Sequence, residues 1–194
     1  MPNYTLKTAQ TIDECAQIAD LQRQNLPQHL SLQQQSEQGF VTVQHSVSML
    51  WQLNQAAPHV IALSEGRVVA YVLAMTAAAR RDIPVLVPMF EQFEQIEYRS
   101  RRVSDYRYIV VGQACVAEGY RGHGILDACY AYYRQIHAPH FAFAITEIAA
   151  HNPRSLRAHS RIGFETIAQY TAPAALPIEW HIVLWDWQIN ASKI

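Results

Sequence analysis

The stretch YRGHGIL, Tyr120 to Leu126, joins two contrasting sequence patterns. The run before it, YIVVGQACVA at residues 108–117, is rich in β-forming residues and is predicted to be a strand. Apolar residues after it recur with the spacing of one helical face: Ile125, Cys129, Tyr132, Tyr133 and Ile136. The quoted stretch is therefore predicted to be a strand-to-helix turn. Gly122 and Gly124 suit such a turn, because glycine adopts backbone angles that other residues disfavour.

A turn of this kind has two interpretations. The first N–H groups of a helix have no partner inside the helix, so a glycine-bearing loop that exposes them can bind phosphate oxygens. The alternative is an ordinary turn with an exposed arginine, which a GxG pattern alone favours. Two other phosphate loops are excluded. Ile125 and Leu126 follow Gly124 where a mononucleotide loop needs Lys and Ser/Thr, and Asp127 stands where a dinucleotide loop needs glycine or alanine.

The composition predicts one folded domain over residues 1–194. Half of the 194 residues are apolar, and the net charge of -1 offers no general attraction for nucleic acid or an anionic membrane. Three widely spaced cysteines indicate neither a disulfide framework nor a zinc site, and no metal is expected. Residues 1–10 lack a signal core, and the most apolar stretch, Val68 to Ala79, is too short to span a bilayer. A cytoplasmic protein without nucleic-acid or membrane partners is therefore expected.

The order of predicted elements is βα(α)ββ, then strand, turn, helix, strand and helix, then a final ββ pair. Thr11 and Glu14 form a capping box for the first helix, and Glu65-Gly66 marks the turn of the first hairpin. Asn152 and Gly163 bound the last helix as N-cap and C-terminal stop. This order predicts an α/β (α+β) fold: a mixed sheet with helices on both faces, and a parallel crossover between residues 108 and 148.

The turn also resembles a known signature. Arg121 to Leu126 resembles the Q/R-x-x-G-x-G/A motif of the GNAT superfamily of acetyl-CoA-dependent N-acetyltransferases. The preceding VAEGYR resembles the family's V-x-P-x-Y-R, and NPRSLRAHSRIGF, Asn152 to Phe164, resembles its later N-x-x-(A/S)-x-x-x-(Y/H)-x-x-x-G-F block. Three positions depart from the pattern. Leu126 stands where the family has Gly or Ala, Glu118 replaces a frequent proline, and His159 stands where many members have tyrosine.

The resemblance implies a GNAT-like, mostly antiparallel sheet of about seven strands, with a splayed parallel pair at the coenzyme A site. It also implies acetyl-CoA as the cofactor. The implied contacts to the pantetheine arm come from the strand before the turn and from the last helix: Cys115, Val116, Ala117 and Asn152. The implied contacts to the diphosphate come from the turn itself: Arg121, Gly122, His123, Gly124, Ile125 and Leu126.

The implied reaction is direct transfer of an acetyl group to a primary amine of a small molecule, peptide or protein. Val116 N–H would stabilise the oxyanion, and His159 would protonate the departing sulfur, since a histidine with an ordinary pKa is partly protonated at neutral pH. The general base is harder to assign. Gln113 occupies the position where some relatives have a glutamate, and Glu147 is interpreted as structural or solvated, which leaves a water chain as a substitute.

Other functions stay open at this point. Leu126 and the lack of an evident base are also compatible with a non-catalytic module that binds or senses acyl-CoA. An acyltransferase for a larger or charged acyl-CoA would differ only around the thioester. The expected partner is an amine-bearing acceptor, and a homodimer is left open.

Overall fold

The computed structural model of the protein describes residues 2–31, 33–35, 39–172 and 177–188. The chain divides into two compact units. The first comprises Met1–Met75 and Val111–Ile136, and the second comprises Thr76–Val110 and His137–Ile194. The prediction of a single domain over residues 1–194 stays a prediction.

The first unit holds two helices and a meander of strands before the quoted turn. Its elements are β1 (Thr5–Thr8), α1 (Ile12–Gln24), α2 (Val47–Ala56), β2 (Val60–Ser64), β3 (Arg67–Met75), most of β6 (Tyr108–Val116) and nearly all of α4 (Ile125–His137). The predicted capping box is confirmed: Glu14 N donates to Thr11 Oγ1 at 3.1 Å, and Thr11 N donates to Glu14 Oε2 at 3.1 Å. These bonds fix where α1 begins.

The predicted first hairpin is confirmed as β2 and β3, which pair antiparallel. Both turn residues have positive φ, 50° at Glu65 and 75° at Gly66, as a tight two-residue turn requires. Residues from α1, α2 and both strands share a buried core: Cys15, Ile18, Leu21, Leu50, Ile61, Tyr71 and Leu73. The C-terminal end of β6 packs against this core.

The second unit contains further helices, a hairpin whose strands are two residues long, and the rest of the sheet. Its elements are α3 (Val87–Gln95), β4 (Glu97–Tyr98), β5 (Arg101–Arg102), β7 (Phe143–Ala149), α5 (Pro153–Ile162), β8 (Glu165–Ala172) and β9 (Ile178–Asp186). The β8–β9 pair is antiparallel, as predicted. The β4–β5 hairpin was not predicted from the sequence, and its turn residues Arg99 and Ser100 have positive φ without being glycine.

The seven long strands form one sheet in the order β1-β2-β3-β6-β7-β9-β8. The pairing of β6 with β7 is parallel and consists of three residue pairs at residues 108–110 and 143–145, although the strands continue to Val116 and Ala149. The other ladders around β2 and β9 are antiparallel. A mixed, mostly antiparallel sheet with one parallel pair confirms the predicted fold class. Within the described ranges, the helices are too short or too polar to cross a membrane.

Candidate functional site

The quoted turn is a loop at the start of a helix. After β6 ends at Val116, one 3₁₀ turn leads to a loop in which Gly122 has φ 79° and Gly124 has φ 74°. A Cβ at either glycine would meet nothing within 4 Å, so backbone conformation and not crowding requires glycine there. Gly124 O accepts the hydrogen bond of Ala128 N at 3.0 Å. The N–H groups that follow it therefore lie at the start of α4, where a helix offers donors to an anion.

The side chain of Arg121 bonds within the protein. Its Nε donates to the carbonyl oxygen of Val116 at 3.0 Å, and its Nη2 donates to Oδ1 of Asn25 at 2.6 Å. Asn25 is the C-cap residue of α1. The guanidinium thus joins the end of β6 to the end of α1. Contact of its charge with a diphosphate stays a prediction.

The end of β6 shows which way its backbone donors point. Ala117 N donates to Val69 O of β3 at 2.8 Å. Because successive N–H groups of an extended chain point to opposite sides, the N–H of Val116 points away from β3. That orientation is the one that the predicted oxyanion donor needs. The N–H of Ala117, in contrast, is already used within the sheet.

The cysteines near this loop are protonated. Burial raises the pKa of Cys115 to about 12 and that of Cys129 to about 12. A thiol with such a pKa is a poor nucleophile at neutral pH, because the thiolate is the reactive species. Direct transfer without a covalent enzyme intermediate therefore remains the simpler chemistry.

Gln113 is held on both sides by hydrogen bonds. Its Nε2 donates to Val43 O at 2.8 Å, and its Oε1 accepts from the hydroxyl of Tyr71 at 2.6 Å. The side chain therefore connects β6, β3 and the segment between α1 and α2. An amide in this position cannot accept a proton usefully, so Gln113 is structural.

In the second unit, Asn152 has the predicted structural role. It is buried, and its Oδ1 accepts from Ser155 N at 3.2 Å, which caps α5. At the other end of this helix Gly163 has φ 116°, and a Cβ there would lie 2.9 Å from Nε1 of Trp185. Both predicted boundaries of α5 are confirmed. A contact from Asn152 to a pantetheine arm stays a prediction and would need atoms other than the capping oxygen.

His159 is buried on α5. Its Nδ1 lies 2.8 Å from Ser155 O, and the ring packs edge-on against Phe164. A carbonyl oxygen only accepts, so Nδ1 carries the hydrogen and Nε2 has the lone pair. Burial lowers the pKa of His159 to about 4, and the hydrogen bond that the ring donates to the carbonyl oxygen of Ser155 opposes this shift. The predicted acid role therefore requires a large rise in this pKa when the ligands bind.

Glu147, which is interpreted from the sequence as structural or solvated, is a titratable group with a shifted pKa. It lies half-buried on β7, and the hydroxyl of Tyr170 on β8 donates to its Oε2 at 2.5 Å. Burial raises the pKa of Glu147 to about 7, while the hydrogen bond from Tyr170 opposes the rise. The carboxyl is thus neither well solvated nor firmly ionised. One sequence signal pointed to it: a single carboxylate inside the otherwise apolar run FAFAITEIA.

Comparison with known proteins identifies the fold. No protein-family model and no curated protein sequence matches the chain. The structure of Arabidopsis thaliana NAA60 in complex with acetyl-CoA matches with a TM-score of 0.66 and 13% identity, over 95% of this chain and 99% of that one. The chain has the GNAT fold. The NatC complex bound to Gag peptide and CoA matches with a TM-score of 0.64 and 12% identity, over 96% of this chain and 99% of that chain.

A third match names the fold directly. A GNAT-family acetyltransferase from Streptococcus agalactiae matches with a TM-score of 0.63 and 11% identity, over 94% of this chain and 95% of that one. These GNAT-fold likenesses span nearly the whole of each chain, although few residues are identical. The fold that the sequence resemblance predicted is confirmed.

Proposed function

We propose that this GNAT-fold chain is an acetyl-CoA-dependent N-acetyltransferase whose acceptor is a primary amine of a small molecule, peptide or protein. One observation carries the proposal: an exposed loop with two positive-φ glycines opens α4, one 3₁₀ turn after the end of β6. Two of the similar structures contain acetyl-CoA or CoA, which supports the same coenzyme here. The loop also occupies the segment where the sequence resembles the GNAT motif.

The residues at this loop fit a diphosphate. Gly122, His123 and Gly124 are exposed, so a ligand can approach the backbone closely. The N–H groups of Ile125 and Leu126 stand at the positive end of the α4 dipole. The side chain of Leu126 is half-buried, and its N–H is the same group that a glycine or alanine would present. The departure at this position therefore leaves the binding donors in place.

The chemistry needs a neutral amine, a donor for the developing oxyanion and a proton acceptor. Acetyl-CoA supplies the acetyl group as a thioester. We assign the oxyanion donor to Val116 N–H, which points away from β3. Glu147, in the second unit, is a candidate for the proton acceptor, because its pKa of about 7 lies near the operating pH, where a general base works best. His159 stays a candidate for contact with the sulfur.

The alternative of a non-catalytic acyl-CoA sensor loses one of its two reasons. The interpretation as a sensor rests on the departure of Leu126 from the motif and on the lack of an evident general base. The raised pKa of Glu147 supplies a candidate base. Consumption of acetyl-CoA with a panel of peptides, polyamines, amino acids and aminoglycosides separates the two functions: coenzyme binding without turnover on any acceptor would support the sensor.

The binding step can be tested by adding a charge at the loop. His123 is exposed, so His123→Asp should not disturb folding and His123→Gln serves as the neutral control. A carboxylate within about 7 Å of a diphosphate costs roughly 1 kcal/mol in a solvent-exposed setting, which is about a fivefold loss of CoA affinity. The loss should shrink at 1 M salt, because exposed charges are screened.

Calorimetric titration with CoA measures these affinities. The proposal predicts weaker binding for the aspartate variant and unchanged binding for the glutamine variant. Equal affinity of all three proteins would show that the phosphates bind elsewhere. Thermal stabilisation of the wild-type protein by ATP in preference to CoA would also overturn the proposal.

A further inference from the structure

A buried histidine lies in the segment between α1 and α2. His45 is only 6% exposed, and the side-chain amide of Gln22 holds it from one side. Gln22 Oε1 accepts from the backbone N–H of His45 at 3.0 Å, which fixes the orientation of the amide. Gln22 Nε2 must then be the donor that lies 3.1 Å from Nδ1 of the imidazole ring.

This contact determines where the ring carries its proton. Because Nδ1 of His45 accepts from Gln22, the neutral ring carries its hydrogen on Nε2. Burial also lowers the pKa of His45 to about 4, so the ring is neutral at physiological pH. Nε2 is buried, yet it has no hydrogen-bond partner within the part of the chain that the structure describes. A buried donor without an acceptor opposes folding, so such groups are rare and each calls for an explanation, of which a ligand is one.

The segment that carries His45 is fastened to the predicted coenzyme-binding elements. Val41 N donates to Asn25 O at 3.1 Å, and Val43 O accepts from Gln113 of β6 at 2.8 Å. Asn25 in turn accepts from Arg121 of the glycine loop at 2.6 Å. Two bonds therefore join this segment to Asn25 and to β6, and Asn25 is itself bonded to the loop. The donor is held in place without a ligand.

We propose that His45 is a positioning residue whose Nε2–H donates to a carbonyl oxygen of a bound substrate. This inference rests on the proposed acetyltransferase function. The donor is neutral, so it suits an uncharged acceptor oxygen, and it cannot receive a hydrogen bond from the ammonium group of the acceptor. Carbonyl oxygens of this kind occur in the pantetheine arm of CoA and in a peptide acceptor. The chemistry is the same in both cases, and binding measurements distinguish the two sources.

Two substitutions separate the two hydrogen-bonding roles of the ring, acceptance at Nδ1 and donation at Nε2. His45→Asn keeps an acceptor close to the position of Nδ1 for Gln22 but removes the Nε2–H. His45→Gln places an amide N–H close to the position of Nε2 but removes the acceptor for Gln22. The asparagine variant should lose the substrate contact, and the glutamine variant should restore part of it. Loss of one hydrogen bond to a neutral acceptor corresponds to about a threefold to tenfold effect.

Calorimetry with CoA and with adenosine 3′,5′-bisphosphate, which lacks the pantetheine arm, identifies the source. If the pantetheine arm is the partner, His45→Asn weakens CoA binding and leaves binding of the bisphosphate unchanged. If the acceptor is the partner, both affinities stay unchanged, and KM rises for the acceptor with the highest turnover in the panel. Either result supports the proposal, because a merely structural residue would not affect one ligand selectively.

Unchanged affinities together with unchanged KM in His45→Asn would overturn the inference while the proposed function stands. If the wild-type protein binds neither CoA nor the bisphosphate, the proposed function fails and the inference fails with it. A variant that does not fold is replaced by a measurement on the wild-type protein labelled with ¹⁵N-histidine. There the His45 Nε2 resonance should shift when CoA or the acceptor is added, and a constant resonance under saturation with both would refute the donor role.

Discussion

The raised pKa of Glu147 predicts a specific pH dependence of stability. Burial shifts this pKa from its ordinary value of 4.5 to about 7. Between these pH values the folded protein holds a proton at Glu147 that the unfolded chain has released. The contribution of this group to stability is therefore fully present below pH 4.5 and is lost as the pH rises through 7. Replacement by glutamine, which is neutral and can still accept from Tyr170, removes the dependence.

The magnitude follows from the size of the shift. A rise from 4.5 to about 7 corresponds to an upper bound of about 3 kcal/mol. Since Glu147 is half-buried and keeps some contact with solvent, about half of this value is expected. Two buried histidines act in the opposite direction, because the pKa values of His45 and His159 are lowered to about 4. Their contributions are lost as the pH falls below 6.5, so the raw stability curve alone is not diagnostic.

Urea unfolding at pH 5, 6, 7 and 8 measures the effect as a difference between wild type and Glu147→Gln. The histidine contributions are common to both proteins and cancel. Relative to the variant, the wild-type free energy of unfolding should fall by about 1–3 kcal/mol across this range. Glu165→Gln, at an exposed position of β8, controls for the loss of a carboxylate. If the free energy of unfolding of wild type and of Glu147→Gln varied in parallel with pH, the assignment of a raised pKa to Glu147 would be refuted.

Three further changes test neighbouring parts of the structure. Tyr170→Phe removes the hydrogen bond that lowers the pKa of Glu147, so the acid limb of kcat/KM should move to higher pH; a shift to lower pH would contradict this role. Arg121→Lys keeps the charge but cannot form both bonds of the guanidinium. Turnover should therefore fall several-fold through the loss of the Val116 contact, while the affinity for CoA is retained. Weaker CoA binding in calorimetry with unchanged turnover in steady-state kinetics would instead favour a direct phosphate contact. Gly163→Ala should lower the free energy of unfolding by about 1–3 kcal/mol in urea, since φ is 116° and a tryptophan nitrogen lies 2.9 Å from the new Cβ; an unchanged midpoint would count against that strain.

Local chemistry explains why much of the fold could be predicted. A capping threonine with a glutamate three residues later, a Glu-Gly turn between β-branched runs, and an asparagine and a glycine around α5 each act over a few residues. Such signals are visible in a single sequence. The β4–β5 hairpin was missed for the same reason, because its strands are only two residues long and Arg99 and Ser100 give no glycine signal at the positive-φ turn.

The chemistry of the candidate site depends instead on partners that are distant in sequence. Glu147 acquires its environment from Tyr170, 23 residues later, through the pairing of β7, β9 and β8. Arg121 bonds to Asn25, 96 residues away, and thereby joins the loop to α1. A motif gives the residue types at such positions, but it contains no information on the register and packing that determine which atoms remain available to a ligand. Arg121 is accordingly a structural link as well as a charge.

The two buried histidines show how completely a partner can decide the chemistry of one residue type. Burial lowers the pKa of both rings to about 4, so both are neutral under physiological conditions. At His159 the carbonyl oxygen of Ser155 requires a hydrogen on Nδ1, which leaves Nε2 as an acceptor. At His45 the amide of Gln22 requires a lone pair on Nδ1, which leaves Nε2 as a donor. The histidine in the recognisable motif is therefore arranged to accept a hydrogen bond, and the histidine outside every motif is arranged to donate one.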